Sequence, residues 1–406
     1  MNPRAGLLAA AIGVAVVVIA IAVVMSAGSG SPGFTATQTS TARPSGSGTV
    51  TTSRTSTGPA GPPARPAPAG EQFGANVNYL FNGSDFTPDQ VAVQLAALRR
   101  TGATVARSDA FWEASEPAPP VDGVHHYQWA FDDRVAGTLA AHGLRWLPVI
   151  DYTAPWAQSI PGQDHSPPSS DPAYAQYAGA FAARYGSDGT FWRAHPGLPA
   201  QPVQSYEIWN EPDSGEFWTP GPDPGRYAQL YEQARDAILA ADPSARVLIG
   251  GLKSPSTFLP AMLAAQPQLR GHIDGVAIHP YGGPLVVLSR IRAARATITA
   301  LGLGQVPLYV TEFGWTTKPP GAVDYAPEQR RPRYLVSTLS SLGHLNCGLA
   351  AALLYTWVSP ERDPNNSQDW YGISSPRGGA TPAVAAFRAG LSAATAPRAP
   401  IRLCAT

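Results

Sequence analysis

The stretch SYEIWNEPD (205–213) begins as a short run of aromatic and aliphatic side chains and ends on an amide, a carboxylate and a proline. Its first half has the length and apolar character of a strand covered on both faces, and its polar residues fall where such a strand would stop. Working outward, seven more runs of this kind can be marked: FGANVNY from Phe73, TVARS from Thr104, RWLPVI from Arg145, VLIGG from Val247, GVAIH from Gly275, LYVTE from Leu308, and LLYTW in a run that begins near Ala352. Stretches with helical spacing separate them. Pro88–Arg100 sets Val91, Leu95 and Leu98 on one face. Pro224–Ala241 spaces Tyr227, Leu230, Tyr231, Ala234 and Ile238 by helical intervals, with proline just inside its start. Further helices are expected at Phe131–His142, Asp171–Tyr185, Ser256–Gln266, Leu285–Leu301, Glu328–Leu345 and Pro382–Leu391.

Eight alternations of strand and helix predict an α/β fold of the (β/α)8 TIM-barrel type rather than an open, doubly wound sheet. No GxGxxG or GxxxxGK motif follows any strand, which speaks against dinucleotide and nucleoside-triphosphate sites. The loops after the second, third and fourth strands are long, as a substrate cleft requires. With 28 basic and 28 acidic residues the chain carries no formal net charge, which disfavours a nucleic-acid partner.

The barrel is expected to occupy residues 71–406, after two segments of different character. Leu7–Met25 is an uncharged run behind Arg4, long enough to span a bilayer. We read residues 1–26 as a signal-anchor helix with the remainder outside the membrane; Val24 and Ser26 leave cleavage of a signal peptide as the alternative. Residues 27–70 are Ser, Thr, Gly, Pro and Ala with almost no large apolar side chain, a composition that cannot build a core and reads as a disordered linker. The two cysteines, Cys347 and Cys404, are either separate thiols or, in an exported protein, a disulfide that pins the C-terminal tail across the barrel base. No CxxC pair or HExxH helix occurs, and His125, His126 and His165 lack ligand spacing, so neither a metal nor any other cofactor is expected.

Polar residues at the C-terminal ends of barrel strands converge on one site. Those ends supply Arg107, Asp151, Asn210, Glu211, His279, Tyr281, Glu312 and Trp357. A pair of carboxylates with a cation, an amide and aromatic rings suits glycoside hydrolysis, in which one carboxyl protonates the leaving oxygen and the other acts at the anomeric carbon. Structural roles compete at several positions. Arg107 could be a core salt-bridge partner, His279 a satisfied core histidine, and Glu207 a structural acid at the barrel wall. Asp151 reads as structural or peripheral rather than catalytic. Among the loop tryptophans Trp156, Trp218, Trp315 and Trp370, packing and sugar stacking compete. Trp156 and Trp315 join the candidate substrate contacts.

YEIWNEPD (206–213) with FW at 217–218 resembles the acid/base segment of clan A glycoside hydrolases, and is most similar to that of family 39. VTEFGW (310–315) resembles the strand-seven nucleophile segment of the same clan, and HPYG (279–282) fits the strand-six segment between them. The resemblance implies that Glu211 is the acid/base and Glu312 the nucleophile of a retaining mechanism. It makes Asn210 a donor to the sugar 2-hydroxyl, Arg107 and Tyr281 partners of the nucleophile, His279 part of the floor, and Trp357 the platform under the reacting sugar. Glu211 should then keep its proton because the charge of Glu312 disfavours a second one nearby. The expected protein is a monomer acting on an extracellular or envelope polysaccharide or oligosaccharide. Transglycosylation at the same carboxylates, or a catalytically silent carbohydrate-binding barrel, are the alternatives.

Overall fold

The computed structural model describes residues 72–404. The expectations for Leu7–Met25 and the 27–70 linker lie outside the described residues. Among the described residues, no helix is long and apolar enough to cross a membrane.

Eight parallel strands close into a barrel in sequence order. They are β1 (Gln72–Asn76), β2 (Val105–Phe111), β3 (Arg145–Asp151), β4 (Ser205–Ile208), β5 (Arg246–Leu252), β6 (Gly275–Ile278), β7 (Leu308–Phe313) and β8 (Leu349–Leu354). Among the described residues there are ten α-helices: α1 (Pro88–Arg100), α2 (Trp112–Ser115), α3 (Ala130–Ala141), α4 (Asp171–Tyr185), α5 (Thr190–Ala194), α6 (Pro224–Ala241), α7 (Pro255–Ala265), α8 (Pro284–Ala300), α9 (Arg331–Leu342) and α10 (Pro382–Thr395). Proline occupies the first position of α1, α6, α7, α8 and α10, where its missing N–H costs no hydrogen bond. Thr87, Ser170, Asp223 and Thr381 cap α1, α4, α6 and α10 through their side chains. The sequence reading missed the short α2 and α5. It also began β8 three residues late, because Leu349–Ala352 is mostly alanine and lacks the β-branched side chains that mark a strand.

Two apolar layers build the core. The larger lies between the barrel wall and the helices. The smaller fills the barrel itself and contains Val105, Leu147, Leu248, Ala277, Tyr309, Ala351 and Leu353. Small residues let the strands close around it. A Cβ at Gly74 of β1 would stand 1.8 Å from the Val105 carbonyl oxygen. Side chains alternate along a strand, so the residues two or four beyond these plugs also face inward, at the C-terminal rim. Val105 leads to Arg107 and Asp109, Leu147 to Asp151, Ala277 to His279, Tyr309 to Thr311 and Leu353 to Tyr355.

At the opposite pole, Cys347 and Cys404 form a disulfide with Cα atoms 5.3 Å apart. Asn346 reinforces it: its Oδ1 accepts from the backbone N–H groups of Leu403 and Cys404, and its Nδ2 donates to the Cys404 carbonyl. The bridge spans 57 positions, and confining such a loop in the unfolded chain is worth about 4 kcal/mol on the loop-entropy account. Replacing both cysteines by serine should lower the unfolding free energy by roughly that amount in urea titrations. A double variant that unfolds at the wild-type urea concentration would contradict it.

A second stability test concerns Asp132, in the first turn of α3. It is fully buried, one oxygen accepts from Ser115, and the other has no partner. Burial, opposed by the Ser115 hydrogen bond and aided by the charge of Asp133, pushes this carboxyl up to about 7. Unfolded aspartate titrates near ~4. The fold therefore favours the protonated form, and its stability falls as pH rises from the unfolded value to about 7. Asp132→Asn should gain on the wild type over that window, by on the order of 2 kcal/mol between about pH 5 and about pH 8. Parallel thermal-melting curves at all pH values would contradict this account.

Candidate active site

Arg107 stands at the centre of the rim. Its side chain is 1% exposed, and its guanidinium reaches the ends of β4 and β7 besides its neighbour β1. Nε and Nη2 form a fork on Glu207 at 3.0 Å each. Nη1 donates to Glu312 at 2.6 Å and to Asn76 at 2.8 Å. Nη2 also donates to Asn210 at 3.0 Å. Burial alone would weaken its charge, but Glu207 and Glu312 beside it raise its pKa well above the ordinary value. One cation thus serves both the buried acid Glu207 and the candidate nucleophile. Glu207 is itself fixed by the Gly251 backbone N–H and the Thr311 hydroxyl.

Glu312 would face outward on an undisturbed strand, because Thr311 already faces in. The register of β7 against β8 shifts between Val310 and Phe313, and such an irregularity re-aims side chains. Both residues consequently reach the site. Glu312 accepts from Arg107 on one oxygen and from the Tyr281 hydroxyl at 2.6 Å on the other.

Glu211 leaves β4 through a turn in which Trp209 and Glu211 have φ of 67° and 44°, left-handed values rare for residues with a side chain. Adjacent glycines on β5 make room for the turn and for the His279 ring. A Cβ on Gly250 would meet the Trp209 carbonyl oxygen at 2.3 Å, and one on Gly251 would meet His279 Nε2 at 1.9 Å. Glu211 Oε1 pairs with His279 Nδ1 at 2.9 Å. Lys253 Nζ lies 3.2 Å from Oε2 but off the hydrogen-bonding direction, so that contact is one of charge. Burial pushes the Glu211 carboxyl up, yet the His279 hydrogen bond and charge and the Lys253 ammonium outweigh it and hold it below the ordinary glutamate value. This corrects the expectation that Glu312 would keep a proton on Glu211. His279 and Lys253 beside Glu211 outweigh the like charge.

His279 is fully buried between the carboxylates, with Nε2 on the Thr311 hydroxyl at 3.1 Å and Nδ1 3.5 Å from Glu312. Burial disfavours its charge, but Glu312 and Glu211 together raise its pKa above the ordinary histidine value. Among the described residues Glu211, His279 and Glu312 are the one trio of donors close enough to reach a single ion. They are already one another's partners and are answered by Arg107 and Lys253, and we assign no metal ligands to them.

The aromatic expectations fare differently. Trp357 is fully buried, its indole N–H donates to Gln94 of α1, and its ring packs on Phe387 of α10. It lies between the barrel and its helices and is no sugar platform. Trp315 is likewise buried, with its N–H on the Gly282 carbonyl. Trp156 is half-buried against Trp112 and donates to the Glu116 carbonyl. The ring that faces the cleft from β8 is Tyr355, half-buried, edge-on to Tyr281 and Tyr371. Alternation from Leu353 would have found it. The sequence reading also missed Lys253 and Asn76. Asn76 was legible as the inward position two beyond Gly74, whereas nothing in the sequence aims Lys253 at Glu211. Asp151 is fully buried with both oxygens unpartnered, and burial and the charge of Asp109 push its carboxyl well up. It does not touch either glutamate.

No family sequence model and no curated protein sequence matches the chain. Solved structures do resemble it. A family 39 β-xylosidase from Caulobacter crescentus superposes with a TM-score of 0.61 at 22% identity, over 81% of this chain and 72% of that one. A family 39 enzyme from Xanthomonas axonopodis pv. citri gives 0.60 at 19% identity, over 80% and 67%. A fungal β-1,4-galactanase gives 0.54 at 16% identity, over 79% and 99%. At these identities the likeness is one of fold, that of a (β/α)8 barrel.

Proposed function

We propose that the chain is a retaining glycoside hydrolase of clan A, nearest to family 39, acting on an extracellular or cell-envelope polysaccharide. One observation carries the reading: carboxylate oxygens of Glu211 and Glu312, from the ends of β4 and β7, lie within 4.8 Å of each other. Retaining enzymes separate their carboxyl groups by about 5–5.5 Å, whereas inverting ones need roughly 6.5–9.5 Å to admit a water. The barrel neighbours, which include a β-xylosidase and a β-1,4-galactanase, support the same class of chemistry.

In this mechanism Glu312 attacks the anomeric carbon while Glu211 gives its proton to the departing glycosidic oxygen. The new bond is an ester between sugar and Glu312. Glu211, now a carboxylate, takes a proton from water as the water oxygen bonds to the same carbon and Glu312 departs. Arg107 and Tyr281 aim Glu312 before attack and receive its charge on release. Asn210, held by Arg107, is the candidate donor to the 2-hydroxyl. A monomeric enzyme is part of this reading, and a monomeric β-xylosidase is among the structural neighbours.

Glu312→Ala should lose hydrolysis altogether, and azide should rescue it to a glycosyl azide of inverted configuration. Glu211→Ala should be slow on poor leaving groups and be rescued to an azide of retained configuration. NMR of the first product formed by the wild type decides the stereochemistry, and an inverted anomer refutes the assignment. We further propose that Leu7–Met25 anchors the protein with its barrel outside, or directs its secretion. Protease added to intact cells should then reach the linker. Full-length protein recovered from the cytosol would overturn that placement.

A further inference from the structure

We propose that Lys253 is a positioning residue for Glu211, whose ion pair keeps that carboxyl in the base form between turnovers and confines hydrolysis to acidic surroundings. The inference rests on the reading of Glu211 as the acid/base.

The pair is built into the fold. Lys253 is the first residue beyond β5, and its backbone N–H and that of Ser254 donate to Asp213, two positions past Glu211. One aspartate thus ties the base of the lysine to the turn that carries the carboxyl. The glutamate side chain is 6% exposed and the lysine side chain 44%. The charge on Glu211 is therefore shielded from water, while the ammonium that answers it can swing into solvent.

The other groups facing Glu211 do not make Lys253 redundant. Glu312 from β7 is a like charge, and Asp213 on its own turn is another. Tyr281 after β6 and Tyr152 after β3 are both raised above the ordinary tyrosine value, by burial first, and stay neutral. Arg107 from β2 is engaged by Glu207 and Glu312. Among the described residues, His279 and Lys253 are the cationic partners paired directly with Glu211, and His279 is shared with Glu312. The first chemical step needs the opposite form, since Glu211 must donate a proton as the glycosidic bond breaks. Each cation that steadies the carboxylate lowers the pH below which that proton is present.

The test uses the full-length protein as wild type, Lys253→Met and Lys253→Arg, with melting temperatures checking that each folds. NMR of the labelled glutamate carboxyl carbons, with Glu211→Gln identifying the resonance, gives the pH at which Glu211 ionises. In Lys253→Met that pH should rise by about one unit, and the alkaline limb of kcat/KM on para-nitrophenyl glycosides should rise with it. Lys253→Arg should keep both near wild type. A Glu211 titration unmoved in Lys253→Met overturns the proposal, and so does an unmoved alkaline limb. If the wild type turns over no glycoside, the hydrolase reading fails and takes the role in turnover with it, while the NMR titration still decides the ion pair.

Discussion

A buried guanidinium organises this molecule. Arg107 cannot lie inside the barrel without anions, and Glu207 and Glu312 supply them from the ends of β4 and β7. Losing one partner of such a set leaves an uncompensated buried charge, worth ~3–5 kcal/mol. The demand reaches outward. Glu207 must be held by the Gly251 N–H and Thr311, Asn76 must turn its oxygen to Arg107 and its amide to the Thr311 and Leu354 carbonyls, and Asn210 must accept the last donor. Electrostatic satisfaction of one side chain thus positions five of the eight strand ends. The same network that lets the barrel close also points Glu312 into the cleft.

Beneath that network, the plug is made of alanine, valine and leucine with one tyrosine, so the polar rim sits directly on a dry layer. A low-dielectric floor strengthens each interaction above it. The strain at Trp209 and Glu211 persists under packing from outside the turn, where Gly250 lets β5 pass against the Ile208 and Trp209 carbonyl oxygens.

The fold was largely legible because both of its periods are simple. Apolar runs marked all eight strands, and helical spacing with N-terminal prolines gave Pro88–Arg100, Asp171–Tyr185 and Pro224–Ala241 to the residue. Glu211 and Glu312 were legible because their motifs end strands. What failed was fine geometry. Alternation from Leu353 points to Tyr355 and Trp357 alike, but past the end of β8 the chain no longer keeps a two-residue period, so Tyr355 meets Tyr281 while Trp357 packs on Phe387 of α10. The protonation of Glu211 was misjudged because only Glu312 was weighed, while Lys253 comes from a different strand end, with no pattern to announce it. The disulfide stayed open because spacing alone does not bring Cys347 to Cys404; the chain must first return to the barrel base.

All eight strands run the same way, so the barrel has two unlike poles. The cleft opens at one. Gln72, where β1 starts, and the Cys347–Cys404 bridge lie at the other. A pull on Gln72 would therefore act on the blunt end, away from the cleft, and would enter the barrel at the seam of β1 and β8, at the same pole as the Cys347–Cys404 bridge.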